Sequence, residues 1–298
     1  MRIEYKNIEF ELKALTEIKL PDFKGSAFRG GFGHIFRKIT CVLKRLNCLE
    51  CPLKNQCIYS YVFETPPLEN SNILNMSNYE KIPHPFIFEP PETKKKLFQP
   101  EETLNLKILL IGKAMEFAPY FIYTISELGK VGIGKGRGKF TVENINIGEK
   151  LLFHLNNINI RESYSVLKIR AITPLRIKYN RDLVRDIEFH ILIRSLLRRL
   201  SLIYYFHIKP EILIHEPKEL IRKAETVKKV QDITFWYDWE RYSSRQDKRM
   251  KLGGVIGEII YKGNISIFIP YVKAGEILHV GKGTSFGLGK YEIVEFST

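Results

Sequence analysis

Two glycine-rich stretches place lysines beside backbone that no side chain covers. Residues 281–291 read GKGTSFGLGKY and lie between two apolar runs, which predicts a strand, a turn and a returning strand. Because glycine has no side chain, successive backbone N–H groups can turn toward one anion while the lysines supply counter-charge. Residues 129–140 read GKVGIGKGRGKF and repeat the arrangement. Two such loops, each closing one half of the chain, indicate a duplicated unit that binds phosphate.

The four cysteines form a second chemically distinctive group, because all of them fall between positions 41 and 57. Their spacing is C-x6-C-x2-C-x5-C, and the central pair suits two thiolates on one tetrahedral or cluster metal. We expect a structural metal, zinc in preference to an iron–sulfur cluster, at Cys41, Cys48, Cys51 and Cys57. Buried reduced thiols are the alternative, and such tight clustering argues against a disulfide scaffold.

The charge balance of the chain is strongly basic. Its 298 residues include 47 Lys and Arg against 33 Asp and Glu, for a net charge of +14 and a pI near 9.5. This surplus favours a polyanionic partner, because each neutralised phosphate releases counterions, although a basic surface also serves solubility alone. The N-terminus is charged and no apolar run approaches the roughly 18 residues of a membrane span, so we expect a cytoplasmic protein with no membrane partner.

The segments that would position these residues follow a strand and helix pattern. In the first half, a strand near 3–20, a helix from Ser26, a strand at 104–111 and a helix at 114–128 precede the first glycine loop and a closing strand. The internal glycines of the first helix imply that another element packs very close to it. The apolar stripe of that helix consists of Phe28, Phe32, Ile35, Phe36, Ile39 and Leu43.

An Asn-rich stretch around 146–164 separates the halves, and we predict one domain at 1–148 and another at 163–298. The longest predicted helix of the second half carries an arginine cluster, Arg194, Arg198 and Arg199. Such a cluster is often only a solvated face, but it would contact RNA if it lay on the same side as the glycine loops. The predicted elements of this half are strands at 166–172, 250–262 and 264–270 and helices at 182–205, 211–229 and 272–277.

Several motifs in the same order resemble the CRISPR-associated endoribonucleases of the RAMP superfamily, which process precursor CRISPR RNA. The most specific is Arg241-Tyr242-Ser243-x-Arg245-Gln246, because the terminal glycine loop marks only the superfamily. The resemblance covers nearly the whole chain, and the other segments that carry it are 24–34, the cysteines closed by Cys57-x-Tyr59, 252–254 and 279–289.

This resemblance implies an α+β fold of two tandem ferredoxin-like (RRM-like) domains. Each has an antiparallel sheet and a glycine-rich loop, and the first carries the cysteine-rich insertion. It implies cleavage within each repeat, without a catalytic metal, by attack of a 2′-hydroxyl that leaves a 2′,3′-cyclic phosphate and a 5′-hydroxyl. The implied partners are precursor CRISPR RNA and a CRISPR effector complex, with the chain as a monomer or homodimer.

The resemblance also selects site residues. His34 is expected to act as general acid or base, because imidazole titrates near neutrality, although a histidine among phenylalanines is otherwise a packed residue. Arg29, Arg37 and Lys38 are expected to stabilise charge in the transition state. The RNA-binding candidates are Lys135, Arg137, Lys139, Arg194, Arg198, Arg241, Arg245, Gly281, Lys282, Gly283, Gly287 and Gly289.

Two other functions compete with the endonuclease. A non-catalytic RNA-binding subunit of a CRISPR ribonucleoprotein would use the same loops and differ only in lacking cleavage. A nucleotide-dependent enzyme fits poorly, because a P-loop needs Gly-x4-Gly-Lys-Ser/Thr and Gly281-Lys282 is followed by Gly283.

Overall fold

The computed structural model describes residues 2–44, 46–48, 50–66, 82–155, 163–243 and 248–297, with backbone alone at 240–243 and 248–251. The chain divides into two compact units. The N-terminal unit contains Glu4–Leu151 and Phe206–Lys209. The C-terminal unit contains Met1–Ile3, Leu152–Tyr205 and Pro210–Thr298. Within the described ranges, no helix is both long enough and apolar enough to cross a bilayer.

The first half of the chain folds as an antiparallel sheet with two helices. Its principal sheet has the strand order β3-β5-β1-β6, and β7 also pairs with β1. A separate short ladder joins β2 to β4. The elements are β1 (Arg2–Ala14), β2 (Ile18–Lys19), α1 (Gly25–Thr40), a π-helix (Ser60–Glu64), β3 (Phe86–Glu89), β4 (Leu97–Phe98), β5 (Thr103–Ile111), a 3-10 helix (Gly112–Phe117), α2 (Ala118–Val131), β6 (Phe140–Ile147) and β7 (Leu151–His154).

Helix α1 packs through the aromatic stripe that its sequence predicts. Phe28, Phe32 and Phe36 are buried, and the Phe32 ring centroid lies 4.8 Å from that of Phe121 on α2. The helix begins at Gly25 rather than at Ser26, because Lys24 is the N-cap and the Ser26 hydroxyl donates to the Phe23 carbonyl. It ends at Thr40, so Leu43 does not extend the stripe.

The second half repeats the sheet. Its strand order is β11-β14-β8-β15, with antiparallel pairing throughout. In each four-strand order the strand that comes first in the chain, β1 or β8, lies between the two that come last, β5 and β6 or β14 and β15. The prediction of two tandem ferredoxin-like domains is therefore confirmed. The elements are β8 (Val166–Leu175), β9 (Lys178–Tyr179), β10 (Asp182–Leu183), α3 (Phe189–His207), α4 (Pro217–Ala224), β11 (Lys228–Tyr237), β12 (Glu240–Ser243), β13 (Lys248–Lys251), β14 (Gly254–Lys262), a 3-10 helix (Ser266–Phe268), α5 (Ile269–Leu278), a 3-10 helix (Thr284–Phe286) and β15 (Tyr291–Ser297).

Some predicted elements of the second half are wrong. Residues 264–270 are not a strand but lead into α5, whose first turn holds Pro270, a position where the missing N–H breaks no helical bond. The helix predicted at 182–205 begins only at Phe189. The helix predicted at 211–229 is confined to α4, and Lys228 instead opens β11 as a partner of β14. Short segments fit helix and strand about equally well by sequence pattern, so their tertiary contacts decide between them.

Two tyrosines hold the core of the C-terminal unit through buried phenols. The hydroxyl of Tyr261 donates to the Ile187 carbonyl at 2.8 Å, and that of Tyr291 donates to the Val272 carbonyl at 2.5 Å. Burial, followed by nearby acidic groups, raises the pKa of both phenols well above the ordinary value. The folded protein therefore keeps both phenols protonated at pH values where the unfolded chain ionises them.

We predict that the free energy of unfolding falls once the pH exceeds about 10, the pKa of an unfolded tyrosine. Below that pH both states keep the protons, so the contribution is fully present. Above it each buried phenol removes about 1.4 kcal/mol per pH unit. Denaturant melts between pH 8 and 11 measure this slope. Tyr261→Phe should make it shallower, whereas Tyr123→Phe, which removes an exposed phenol, should leave it unchanged; equal slopes for the two variants would contradict the assignment.

Candidate functional site

The first glycine loop lies against β2 with very little clearance. Gly132, Gly134 and Gly136 have φ of 89°, 75° and 86°, the left-handed region that favours glycine. A Cβ on Gly134 would lie 2.2 Å from the Lys19 carbonyl oxygen, and the Lys135 amide donates to that same oxygen at 2.9 Å. The positive φ angles therefore favour glycine at these three positions, and the nearby Lys19 carbonyl leaves no room for a Cβ at Gly134.

The tip of the first loop presents cations to solvent. Lys135, Arg137 and Lys139 are all exposed. Gly136 lies between the first two, and a Cβ there would meet nothing within 4 Å among the described residues. The loop thus carries three accessible positive charges around backbone that a strand of phosphates can approach.

The second glycine loop is tied tightly to the C-terminal sheet. A Cβ on Gly289 would lie 1.9 Å from the Val280 carbonyl oxygen, and one on Gly281 would lie 2.5 Å from the Arg176 carbonyl oxygen. Both residues have positive φ. Many loop amides already donate to protein carbonyls, so they do not all converge on one anion as the sequence suggested; those donors are Lys282, Phe286, Gly287, Leu288 and Gly289.

The buried side chain of His279 contacts this loop. It is almost fully buried, and its Nδ1 lies 3.1 Å from the Leu288 carbonyl oxygen. This contact links the two ends of the loop, because residue 279 precedes it and residue 288 lies near its end. The geometry agrees with a positioning role rather than with proton transfer to a substrate.

A basic face forms beside the second loop. Arg194 and Arg198 lie four residues apart on the exposed side of α3, and Lys282 reaches the surface from the loop. Desolvation, followed by the charges of Arg198 and Lys178, lowers the pKa of the Lys282 ammonium. We call Lys178, Arg194, Arg198 and Lys282 the basic face. Lys178 could not be recognised from sequence, because no glycine-rich motif surrounds it.

Arg199 does not belong to the basic face, although the sequence grouped it with Arg194 and Arg198. It is buried, and its Nε donates to the Leu278 carbonyl at 2.8 Å, near the end of α5. Burial lowers the pKa of its guanidinium to about 9. Its spacing of three from Leu196 and four from Ile203 puts it on the apolar stripe of α3, which explains the correction.

The proposed catalytic residues of α1 fall into two groups. His34 and Lys38 are exposed and lie four residues apart, so they share one face of the helix. Arg29 and Arg37 are partly buried instead. The structure therefore brings His34 and Lys38 together at the surface and gives the two arginines neighbours inside the protein.

Arg29 lies beneath the surface in a network of side chains. Its Nη2 is 3.1 Å from His84 Nε2, and its guanidinium carbon lies 4.3 Å from the centroid of the Phe63 ring. Because arginine only donates, His84 Nε2 must accept, which leaves its Nδ1–H facing the Thr65 hydroxyl at 3.4 Å. Arg29 and His84 thus position each other. Nothing in the sequence pattern singled out His84, because its partner Arg29 is remote in sequence.

Arg37 contacts the cysteine-rich segment. Its Nη2 donates to the Leu46 carbonyl at 3.3 Å, and its guanidinium carbon lies 5.7 Å from the centroid of the Tyr59 ring. These contacts hold the end of α1 against the turns that follow it.

A second network missed by the sequence analysis joins Tyr61 to His207. The Tyr61 hydroxyl lies 3.1 Å from His207 Nδ1, and His207 Nε2 lies 2.8 Å from the Pro83 carbonyl. A carbonyl only accepts, so Nε2 carries the proton and Nδ1 accepts from Tyr61. Burial, followed by the charge of Glu116, raises the pKa of Tyr61 well above its usual range. The ammonium of Lys113 also lies 5.7 Å from the centroid of the Tyr61 ring.

The cysteines do not form the predicted four-ligand site in the described part of the chain. All four are free and partly buried, and Cys48 and Cys57 pack against the aromatic core of the N-terminal unit. Among the described residues, no group of three or more His, Cys, Asp and Glu side chains is placed to hold a metal ion. The structure thus gives no support to the metal-binding prediction, and neither zinc nor an iron–sulfur cluster is assigned a role.

Two further RNA-binding candidates are Arg241 and Arg245. Only the backbone of Arg241 is described, in β12, and Arg245 lies outside the described residues. The nearby Gly253 is held in place, because a Cβ on it would lie 2.1 Å from Asp238 Oδ1 and its carbonyl accepts from Arg176. The turn at 252–254 is therefore shaped by packing against the end of β11.

The chain thus has two tandem ferredoxin-like units, each with a glycine-rich loop, and exposed cations lie on or beside those loops. Residues 3–165 match the AF_1859_N family, an N-terminal domain, and residues 169–291 match the CRISPR-associated endoribonuclease Cas6 family. The first match covers more than half of the chain, so the chain belongs to the AF_1859_N family. The second match confirms the resemblance to the CRISPR-associated endoribonucleases of the RAMP superfamily that the motifs carry.

Known proteins resemble the chain over nearly its whole length. An uncharacterized protein of Archaeoglobus fulgidus is 25% identical over 297 residues, covering 92% of each chain. A Cas6 product complex superimposes with a TM-score of 0.57 at 14% identity, covering 97% of this chain and 100% of that one. A partial Cas6-RT-Cas1–Cas2 complex gives a TM-score of 0.58 at 12% identity, covering 99% of this chain and 46% of that one. At these identities the solved structures establish the fold.

Proposed function

We propose that this chain cleaves precursor CRISPR RNA within its repeats and that the reaction needs no metal ion. The 2′-hydroxyl upstream of the scissile phosphate attacks phosphorus, and the bond from phosphorus to the 5′-oxygen breaks. The products are a 2′,3′-cyclic phosphate and a 5′-hydroxyl. The observation that carries the proposal is the exposed pair of His34 and Lys38 on one face of α1, in a chain whose residues 169–291 match the Cas6 endoribonuclease family.

His34 transfers a proton at the scissile phosphate in this scheme. An imidazole either takes the proton from the 2′-hydroxyl or gives one to the departing 5′-oxygen. Lys38, one helical turn away, supplies positive charge where the phosphorane accumulates negative charge. Arg29 and Arg37 act through their packing contacts and stabilise α1 instead of touching the reacting atoms.

The glycine loops and the basic face hold the RNA. Lys135, Arg137 and Lys139 contact phosphates from the first loop. The basic face binds phosphates through α3 and the second loop. Burial, followed by the positive charges of Arg198 and Lys178, lowers the pKa of Lys282, so these cations repel one another. An RNA phosphate would relieve that repulsion, which makes binding dependent on salt.

Cleavage of repeat RNA in EDTA tests the proposal. We expect the purified protein to cut a repeat RNA once, and the upstream product to carry a 2′,3′-cyclic phosphate that acid opens. A repeat with a 2′-deoxyribose at the scissile position should bind but stay intact, because the nucleophile is missing. Mass spectrometry of the product ends and gel analysis of the cleavage measure both expectations.

Two results would overturn this function. A product with a 3′-hydroxyl formed only with magnesium would show that a metal-activated water is the nucleophile. Tight repeat binding without cleavage, in protein whose fold is intact by circular dichroism, would favour the non-catalytic RNA-binding subunit. That subunit would use the same loops and basic face.

A further inference from the structure

Gly30 is a glycine in the body of α1 that no packing contact explains. It is exposed, and a Cβ built on it would meet nothing within 4 Å among the described residues. It lies inside a helix of 16 residues and does not have positive φ. Glycine there destabilises a helix relative to alanine, so the absence of a side chain needs a reason other than the fold.

The two neighbouring glycines of α1 provide the contrast. A Cβ on Gly31 would lie 2.8 Å from a methyl group of Leu128 on α2, and one on Gly33 would lie 2.5 Å from the Phe63 ring. Both therefore permit close packing, as the sequence predicts. Gly30 alone among the three faces open space in the described structure.

Gly30 lies on the same face as His34, four residues away and one turn toward the N-terminus. A helical side chain leans toward the N-terminus and covers the turn that precedes its own Cα. Positions 30 and 34 are therefore neighbours on the helix surface, and a large side chain at position 30 would occupy space beside His34. Lys38 extends this face in the other direction.

We propose that Gly30 provides clearance for the RNA strand, so that its sugar–phosphate backbone passes over the first turns of α1 and places the scissile phosphate at His34. The occupant is a polyanion because the open surface runs beside His34 and Lys38 in a chain of net charge +14. This inference rests on the proposed function and adds the path of the substrate at the catalytic helix. Gly30 is a positioning residue and touches no reacting proton.

Substitutions of increasing size at Gly30 test the clearance. Gly30→Ala should raise the melting temperature by about 2 °C, because the helix gains a better helix former in open space. Gly30→Leu should also melt no lower than the wild type, yet lower single-turnover cleavage by about 10- to 100-fold, since displacing the reacting atoms by an ångström costs this much. The RNA concentration for half-maximal rate should rise as well.

Gly31→Ala is the matched control. It adds the same methyl group one residue along the helix but pushes into Leu128, so it should lower the melting temperature while the folded fraction cleaves at the normal rate. A lower melting temperature for Gly30→Ala would show that Gly30 is a packing glycine and would overturn the inference. Cleavage by Gly30→Leu at the wild-type rate would overturn it as well. If the wild-type protein fails to cleave repeat RNA, the proposed function fails instead, which separates the two outcomes.

Discussion

His34→Ala slows single-turnover cleavage of repeat RNA by at least about a hundredfold while the dissociation constant for the RNA stays within about twofold. The imidazole is removed from an exposed position of α1, so we expect the fold to stay intact. Binding survives because the loops and the basic face, not His34, hold the phosphates. The effect therefore falls on the chemical step.

Rapid-quench cleavage with protein in excess over RNA measures this rate. Filter binding with the 2′-deoxy repeat measures affinity without cleavage. His215→Ala, which removes an exposed histidine from the C-terminal unit, serves as control and should cleave like the wild type. If His34→Ala also cleaves at the wild-type rate, another residue transfers the proton and His34 is only a surface residue.

The second large effect is expected from reversing charge on the basic face. The double variant Arg198→Glu with Lys282→Glu should weaken repeat binding by at least about a hundredfold at physiological salt, because two phosphate contacts become repulsive. The slope of log affinity against log salt should become shallower by about two, since about 0.9 counterions are released for each contact. Cleavage at saturating protein should change less than affinity.

A charge-matched double variant on α4, Lys218→Glu with Arg222→Glu, distinguishes local contact from overall charge. Both residues are exposed in the same unit, and the net charge falls by the same amount. Its salt slope should stay close to that of the wild type. Equal losses in the two double variants would mean that only the long-range field attracts RNA, and the basic face would then not be a contact surface.

Sequence periodicity was sufficient for much of the fold. The aromatic stripe at Phe28, Phe32 and Phe36 predicted α1 because a period near 3.6 residues describes a helix with one buried face. The same reasoning failed at 264–270, where Ile265, Ile267 and Ile269 alternate over a stretch too short for periodicity to tell a strand from a helix. Pro270 was compatible with both readings until α5 formed around it.

The candidate site was predicted unevenly, for reasons that individual residues make clear. His34 and Lys38 were found because their types and spacing are local properties of one helix. Arg199 was misplaced because charge alone suggested the surface, whereas its Nε binds the Leu278 carbonyl inside the fold. His84 and Lys178 were missed because their partners, Arg29 and Lys282, are remote in sequence.

By itself, the sequence determined the net positive charge, the two glycine loops and the duplicated order of strands and helices. It also determined the family that its motifs resemble. Each of these depends only on residue types and on short spacings along the chain. The tertiary structure alone decided why each glycine is there: Gly289 makes room for the Val280 carbonyl, Gly31 makes room for Leu128, and Gly30 faces open space among the described residues. It also decided that the cysteines do not converge in the described part of the chain. Both depend on which remote atoms come within a few ångströms, and local sequence does not encode that distance.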